Sequence, residues 1–263
     1  VDVGNHFYCY SCEPNPDWQE FFSRQPELQR YFASTARKYG VEARIRFNTE
    51  VQAADFDEAS GEWRVRVRAK DGAVETLRAR VLISGVGQLN RPKLPDIDGL
   101  DRFRGPAFHS ACWDHSVSLA GKRVAVIGSG ASAFQLVPEI ATQAAQVYTF
   151  QRTSQWMFPN PDYHRAVSPG ANWCFRHLPY YGRWYRFLLF WPATDGTWEG
   201  TFVDPEWPHQ ERSINAINEF TREMFAGWIR QQCGDDEALF QRVLPAYPPL
   251  ARRTLQDNGS WLQ

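Results

Sequence analysis

The stretch from Lys122 to Phe150 constrains this chain's fold more than any other. An apolar run, Val124-Ala125-Val126-Ile127, leads into Gly128-Ser129-Gly130-Ala131-Ser132-Ala133. A helical pattern over Ala131–Gln143 and a second apolar run over Gln146–Phe150 follow. Strand, glycine turn, helix and strand in that order form a βαβ unit, the building block of a doubly wound parallel sheet. The glycines have distinct tasks. Gly128 lets the strand end in a tight turn, Gly130 lets backbone approach a pyrophosphate, and Ala133 permits close helix–strand packing. The helix N-terminus behind them offers free N–H groups and the positive end of a dipole to phosphates. Pro138 falls inside that helix and should bend it.

The glycine pattern alone is weak, since a chain of this composition yields it by chance roughly 0.2 times. The acid test of a dinucleotide site is the end of the following strand. Asp or Glu there holds a ribose 2′-hydroxyl; this chain has Gln151-Arg152-Thr153 instead, with Arg152 24 residues past Gly128. A guanidinium pairs with a 2′-phosphate, which a carboxylate would repel, so the reading favours NADP over NAD. The alternative is an arginine in a surface salt bridge.

Upstream, residues 1–22 form a Pro- and aromatic-rich loop around Glu13-Pro14-Asn15-Pro16. Pro26 suits a first helical position, Leu28, Tyr31, Phe32, Thr35, Ala36 and Tyr39 recur at helical spacing, and Gly40 stops the helix. Residues 45–84 read as strands. Trp63, Val65 and Val67 alternate with Arg64, Arg66 and Arg68, and Asp71-Gly72 turns the chain into Val74–Arg80. The apolar Val81-Leu82-Ile83 before Ser84-Gly85-Val86-Gly87 reads as a short buried parallel strand. Arg91-Pro92-Lys93-Leu94-Pro95 is a stiff connector, which sets the expected division at residues 1–92 and 93–263. From Pro159 to Pro249 the text becomes rich in Trp, Tyr, Pro and Arg, with helical stretches near Trp184–Phe190 and Ser213–Arg230. It reads as a mostly helical insertion at about 159–249.

Composition excludes some classes. A net charge of −1 gives no general attraction for nucleic acid or membrane. There is no 18-residue apolar run. The five cysteines are odd in number and scattered, which fits reduced thiols in the cytoplasm better than a disulfide framework. Cys9-Tyr10-Ser11-Cys12 is formally a C-x-x-C pair, but it lies in an aromatic loop and not on a βα turn. No Cys/His set has zinc spacing, so no metal is expected.

Between the connector and the glycine turn lies a spaced set of residues: Phe103, Gly105, His109, Trp113 and Asp114. Such a string arises by chance on the order of 10⁻⁴ times in this composition. Together with the glycine turn it resembles the fingerprint of Baeyer–Villiger monooxygenases, class B flavoenzymes that insert oxygen beside a ketone carbonyl. Pro159-Asn160-Pro161-Asp162-Tyr163, Val203-Asp204-Pro205-Glu206-Trp207 and Asp257-Asn258-Gly259 resemble the 4-hydroxyacetophenone monooxygenase group within it. The resemblance implies an α/β fold: a Rossmann-like NADP-binding domain with a helical insertion, plus part of an FAD-binding domain with a small β-meander.

The resemblance also implies roles. Gly128, Ser129, Gly130, Ala133, Arg152 and Thr153 would bind NADP. Of the basic pair Arg252-Arg253, the first would help hold the 2′-phosphate and the second would stabilise a negatively charged flavin peroxide. By composition alone that pair is a solvated face, and the family more often has Lys at the first position. Asp2, within Asp2-Val3-Gly4-Asn5-His6-Phe7-Tyr8, would orient Arg253, although by position it is equally a chain end. His109 would couple domain movement to catalysis as a linker residue. The implied cofactors are FAD and NADP, and the implied substrates a small aryl or alkyl ketone and O2. With one glycine loop present, an FAD loop is expected upstream of Val1, and residues 1–263 alone are expected neither to retain flavin nor to oxidise ketones. Two other readings stay open: a flavin-containing N- or S-oxygenase, against which Trp113-Asp114 speaks, and a stand-alone NADP-binding module.

Overall fold

The computed structural model describes residues 2–262, apart from the side chain of Ala193. Contacts divide the chain into two compact units, one of Val1–Tyr31 with Trp113–Gln263 and one of Phe32–Cys112. The division falls inside the fingerprint, between Cys112 and Trp113. Helix α1 (Gln25–Lys38) crosses the earlier boundary, with Glu27 in its first turn and Arg37 and Lys38 in its last, as the helix dipole favours.

In the Phe32–Cys112 unit an antiparallel meander joins β1 (Thr49–Asp57), β2 (Glu62–Ala69) and β3 (Val74–Ala79) in that order. Val65 and Val67 are buried while Arg64, Arg66 and Arg68 face water, the period-two pattern of a half-buried strand. The β2–β3 turn has Gly72 at φ +89°, and the Asp71 carboxylate accepts from the Ala73 N–H at 3.0 Å. After β3 the structure departs from expectation. Val81-Leu82-Ile83 forms no strand, and Val81 and Ile83 are 72% and 86% exposed. A parallel strand requires a neighbouring ladder, and no described strand pairs with this run.

In the other unit, β4 (Arg123–Ile127) and β5 (Gln146–Phe150) pair in parallel from Arg123↔Gln146 to Ile127↔Phe150, with α2 (Ala131–Ala141) between them. This is the expected βαβ unit, and its sheet has two strands among the described residues. A second parallel pair joins β6 (Met157–Pro159) to β7 (Leu255–Asp257) across nearly a hundred residues of chain. The intervening text is helical: α3 (Pro169–His177), α4 (Tyr181–Phe190), the short α5 (Asp195–Trp198), α6 (Ala216–Cys233) and α7 (Glu237–Val243).

Local chemistry explains the ends of these helices. Ser168 caps α3 by accepting from the Ala171 N–H at 3.2 Å, with Pro169 at the first position. Asn215 caps α6 through the Asn218 N–H at 2.8 Å, and Gly234 ends it at φ +56°. On α6, Phe225, Ile229 and Cys233 recur every four residues and are buried, so one stripe faces inward. That stripe packs with Phe134 of α2, Trp156, Met157, Phe240, Val243 and Leu255 in one apolar core. Full burial of each such side chain stabilises the fold by about 1.5–3 kcal/mol. The core therefore joins the helical insertion, the βαβ unit and β7, and β7 starts two residues after Arg253.

Candidate functional site

The glycine turn has the conformation its residues demand. Gly128 adopts φ +112°, which lies outside the left-handed well that other residues reach at modest cost, and its N–H donates to the Phe150 carbonyl at 2.8 Å. Gly130 caps α2 in an extended conformation with no side-chain hydrogen bond, so the first N–H groups of the helix have no side-chain acceptor. A Cβ placed at Gly128 or Gly130 would meet no atom within 4 Å. The outer side of the turn is thus open beside free N–H donors, which fits a dinucleotide pyrophosphate. Buried Ser129 donates its hydroxyl to the Thr153 carbonyl at 3.3 Å, which fixes the turn to the segment after β5. Arg152 on that segment is exposed, and Ala133 in the first turn of α2 is buried.

A second constellation gathers Asp2 and Arg253. One guanidinium nitrogen, Nη2, lies 2.8 Å from each carboxylate oxygen of Asp2. The Asp2 side chain is largely covered and that of Arg253 is largely exposed, so the pair leaves a cation facing outward with its position fixed. Arg252 takes a different environment, its guanidinium lying over the Tyr247 ring at 4.7 Å.

Helix α4 holds the segment that carries Asp2. Arg186 donates to the carbonyls of His6 and Cys9 at 3.2 and 3.1 Å and lies over the Phe7 ring. Leu189 approaches Gly4 so closely that a Cβ there would stand 3.1 Å from its Cδ1. His6 is buried, stacked on Phe175 at 4.0 Å and edge-on to Tyr185, and neither ring nitrogen has a hydrogen-bond partner. Burial lowers its pKa to about 4, so this imidazole is a neutral packing element. Cys9 is half-buried and desolvation raises its thiol, an environment unlike that of a reactive C-x-x-C cysteine.

Sequence reasoning gave no role to the buried acceptor on the other flank. Asp257, at the end of β7, is 1% exposed. Its Oδ2 accepts from the Trp228 indole at 2.8 Å and from the Gln232 amide at 2.7 Å, and its Oδ1 accepts from the Gly259 N–H at 3.1 Å. The signal was present in Asp257-Asn258-Gly259, an Asx-turn sequence that ends at a φ of +92°, but not the two donors from α6. Tyr163 was quoted only within a resembling string. Its hydroxyl is buried without a partner, and desolvation followed by the negative charge of Asp2 raises its pKa to about 12.

The fingerprint residues have local explanations. A Cβ on Gly105 would stand 2.7 Å from the Phe103 ring, so the glycine lets that ring fold back over the chain. His109 accepts from the Ala111 N–H through Nδ1 at 3.0 Å and opens a short 3₁₀ turn over Ser110–Cys112. Asp114 accepts from both the backbone and hydroxyl of Ser116, and these bonds lower its pKa. Trp113 is half-buried. Among the described residues no group of three or more His, Cys, Asp or Glu side chains clusters as a metal site. No described helix is long and apolar enough to cross a membrane.

A family profile described as flavin-binding monooxygenase-like matches residues 1–164, and the chain belongs to that family. It is 40% identical over 258 residues to a Baeyer–Villiger monooxygenase of Pseudomonas aeruginosa, covering 98% of this chain and 46% of that protein. It is 41% identical over 259 residues to the uncharacterized monooxygenase y4iD of Sinorhizobium fredii, covering 98% of this chain and 39% of that one. The chain thus spans less than half the length of these curated relatives. Among solved structures it is similar to OTEMO in complex with FAD and NADP, with a TM-score of 0.78 and 27% identity over all of this chain and 54% of that one. It is also similar to cyclohexanone monooxygenase from Rhodococcus sp. Phi1 bound to NADP+, with a TM-score of 0.76 and 26% identity over all of this chain and 53% of that one. The α/β architecture with a Rossmann-like unit is therefore that of Baeyer–Villiger monooxygenase structures.

Proposed function

We propose that this chain is part of an FAD- and NADPH-dependent monooxygenase that inserts one oxygen atom of O2 beside a ketone carbonyl. The balance is ketone, O2, NADPH and a proton giving ester or lactone, water and NADP+. The observation that carries the reading is the ion pair between Arg253 and Asp2, which sets one cation at a fixed place. FAD, when bound, supplies the activation of dioxygen, and the protein supplies position and charge. Arg253 stabilises negative charge as it develops on the activated oxygen, and Asp2 keeps the guanidinium from wandering. Gly128, Ser129, Gly130 and Ala133 form the pyrophosphate cradle, and Arg152, Thr153 and Arg252 hold the 2′-phosphate end.

Residues 1–92 contribute to the FAD-binding domain and residues 93–263 form the NADP-binding domain with its helical insertion. That is a division by cofactor and not by packing, because residues up to Tyr31 pack in the unit that holds β4 and β5. Phe103, Gly105, His109, Trp113 and Asp114 link the two, with His109 transmitting movement and exchanging no proton with substrate. An aryl or alkyl ketone is the substrate class, and no nucleic acid or membrane takes part. Five free thiols suit a reducing cytoplasm. Incubating the full-length enzyme with FAD, NADPH, an aryl methyl ketone and ¹⁸O₂ tests the reading. An ester with one labelled oxygen per NADPH oxidised supports it, and an unlabelled or absent ester refutes it.

A further inference from the structure

Arg253 is useful only if its guanidinium stays where charge develops, and Asp2 fixes it from one side alone. The backbone of Arg253 is held separately. Two residues on, the Leu255 N–H donates to the Trp156 carbonyl at 3.0 Å, and β7 then pairs with β6 as far as Asp257. The Asn160 N–H donates to the Asp257 carbonyl at 2.7 Å, its side-chain amide donates to Gln256, and the Asn258 amide donates to the Tyr163 carbonyl. These bonds converge on a strand of three residues and the residue after it, too short a stretch to hold its own register.

The Asp257 side chain ties that strand to a second element, α6. A carboxylate in the core carries a large desolvation penalty unless donors surround it, and here three N–H groups from two elements reach its two oxygens. Sliding β7 by one residue would turn Asp257 away from Trp228 and Gln232 and present a different side chain to them, whereas the local bond from Gly259 would move with the strand. We propose that Asp257 is a positioning residue for Arg253: by locking β7 to Trp228 and Gln232 of α6, it makes the helical insertion the reference for the oxygen-stabilising cation. This inference rests on the proposed function, because the consequence of misplacing Arg253 is read there. A displacement of about 1 Å in a positioned group lowers turnover by up to roughly 100-fold.

The test uses the full-length flavin-loaded enzyme with a ketone that the wild type oxidises. D257N replaces an accepting oxygen by an NH2 group that meets the indole N–H head-on. W228F removes one donor while keeping an aromatic ring, and T221A, at a half-buried position of α6 whose hydroxyl donates to the Ile217 carbonyl, is the control. Ester formed and hydrogen peroxide released are measured per NADPH consumed, and amide hydrogen exchange is followed across residues 252–256. D257N and W228F are expected to form roughly tenfold less ester per NADPH while peroxide rises. Exchange at the Leu255 amide rises in both. A purely structural role would lower the melting temperature and leave ester per NADPH untouched. If D257N fails to fold, W228F decides alone: wild-type coupling and exchange in that variant overturn the inference. A wild type that forms no ester from any ketone overturns the proposed function and this inference with it, whereas an active wild type with unaffected variants overturns only the inference.

Discussion

Asp2 and Arg253 lie 251 residues apart in the chain, and both carboxylate oxygens of the first stand 2.8 Å from one guanidinium nitrogen of the second. Loop closure over such a span is costly, so the pair exists because other contacts bring its two segments together. On one side these are Arg186 and Leu189 of α4, and on the other Trp228 and Gln232 of α6. As a half-exposed pair it adds little to stability, on the order of 0–1 kcal/mol. Its worth is positional.

Removing the cation is therefore expected to affect chemistry more than folding. In the full-length enzyme R253A should lower the rate of ester formation by about 10²–10³, as loss of one preorganised electrostatic group does elsewhere. D2N keeps the cation but loosens it, and a loss of roughly tenfold follows. Steady-state ester formation beside a thermal melt checks both. Equal losses of activity and stability would point to a structural pair instead.

The glycine turn separates fold from binding. At Gly130 an added Cβ finds no neighbour within 4 Å, so G130V should melt near the wild type while its KM for NADPH rises at least roughly tenfold through lost approach to phosphate. At Gly128 the φ of +112° makes G128A strained by about 1–3 kcal/mol regardless of space. Melting curves and NADPH titrations of the two variants distinguish them. An unchanged KM in G130V would remove the pyrophosphate from this turn.

Coenzyme choice is expected to depend on Arg152. R152A should raise KM for NADPH by about tenfold and leave that for NADH nearly unchanged, because only NADPH carries the 2′-phosphate. Parallel initial-rate measurements with the two coenzymes check this. Equal effects on both would place the phosphate elsewhere, with Arg252 the next residue to vary.

His6 makes stability depend on pH. Its pKa falls from 6.5 in the unfolded chain to about 4 in the fold, so the unfolded state binds the extra proton between those values. Stability is then complete above pH 6.5, is lost as pH falls toward about 4, and changes no further below it. The full loss is about 3 kcal/mol. H6F keeps the stack on Phe175 and has no nitrogen to protonate, so its melting temperature should fall less than that of the wild type between pH 6.5 and 4.5. Parallel pH slopes for the two proteins would rule His6 out as the source.

Much of this was legible in the sequence where local rules decide. The β4–α2–β5 unit, the β2 alternation, the Asp71-Gly72 turn and the helical stretch of α6 follow from spacing and turn chemistry alone. Val81–Ile83 was misread because an apolar run states that it would be buried but not which strand would bury it. The pairing of Asp2 with Arg253 was reached through resemblance, since nothing in either segment points to the other. Asp257 gave still less. A short polar Asp-Asn-Gly string reads as a surface turn, and only the fold shows that the Trp228 indole and the Gln232 amide close over it.

The central claim is ketone oxygenation, and direct competition tests it. The full-length enzyme, loaded with FAD and given NADPH and O2, would be offered an aryl methyl ketone and a thioether together, with products identified by mass spectrometry. The account predicts ester from the ketone, formed about 10²–10³ more slowly in R253A. Sulfoxide as the sole oxygenated product would contradict it.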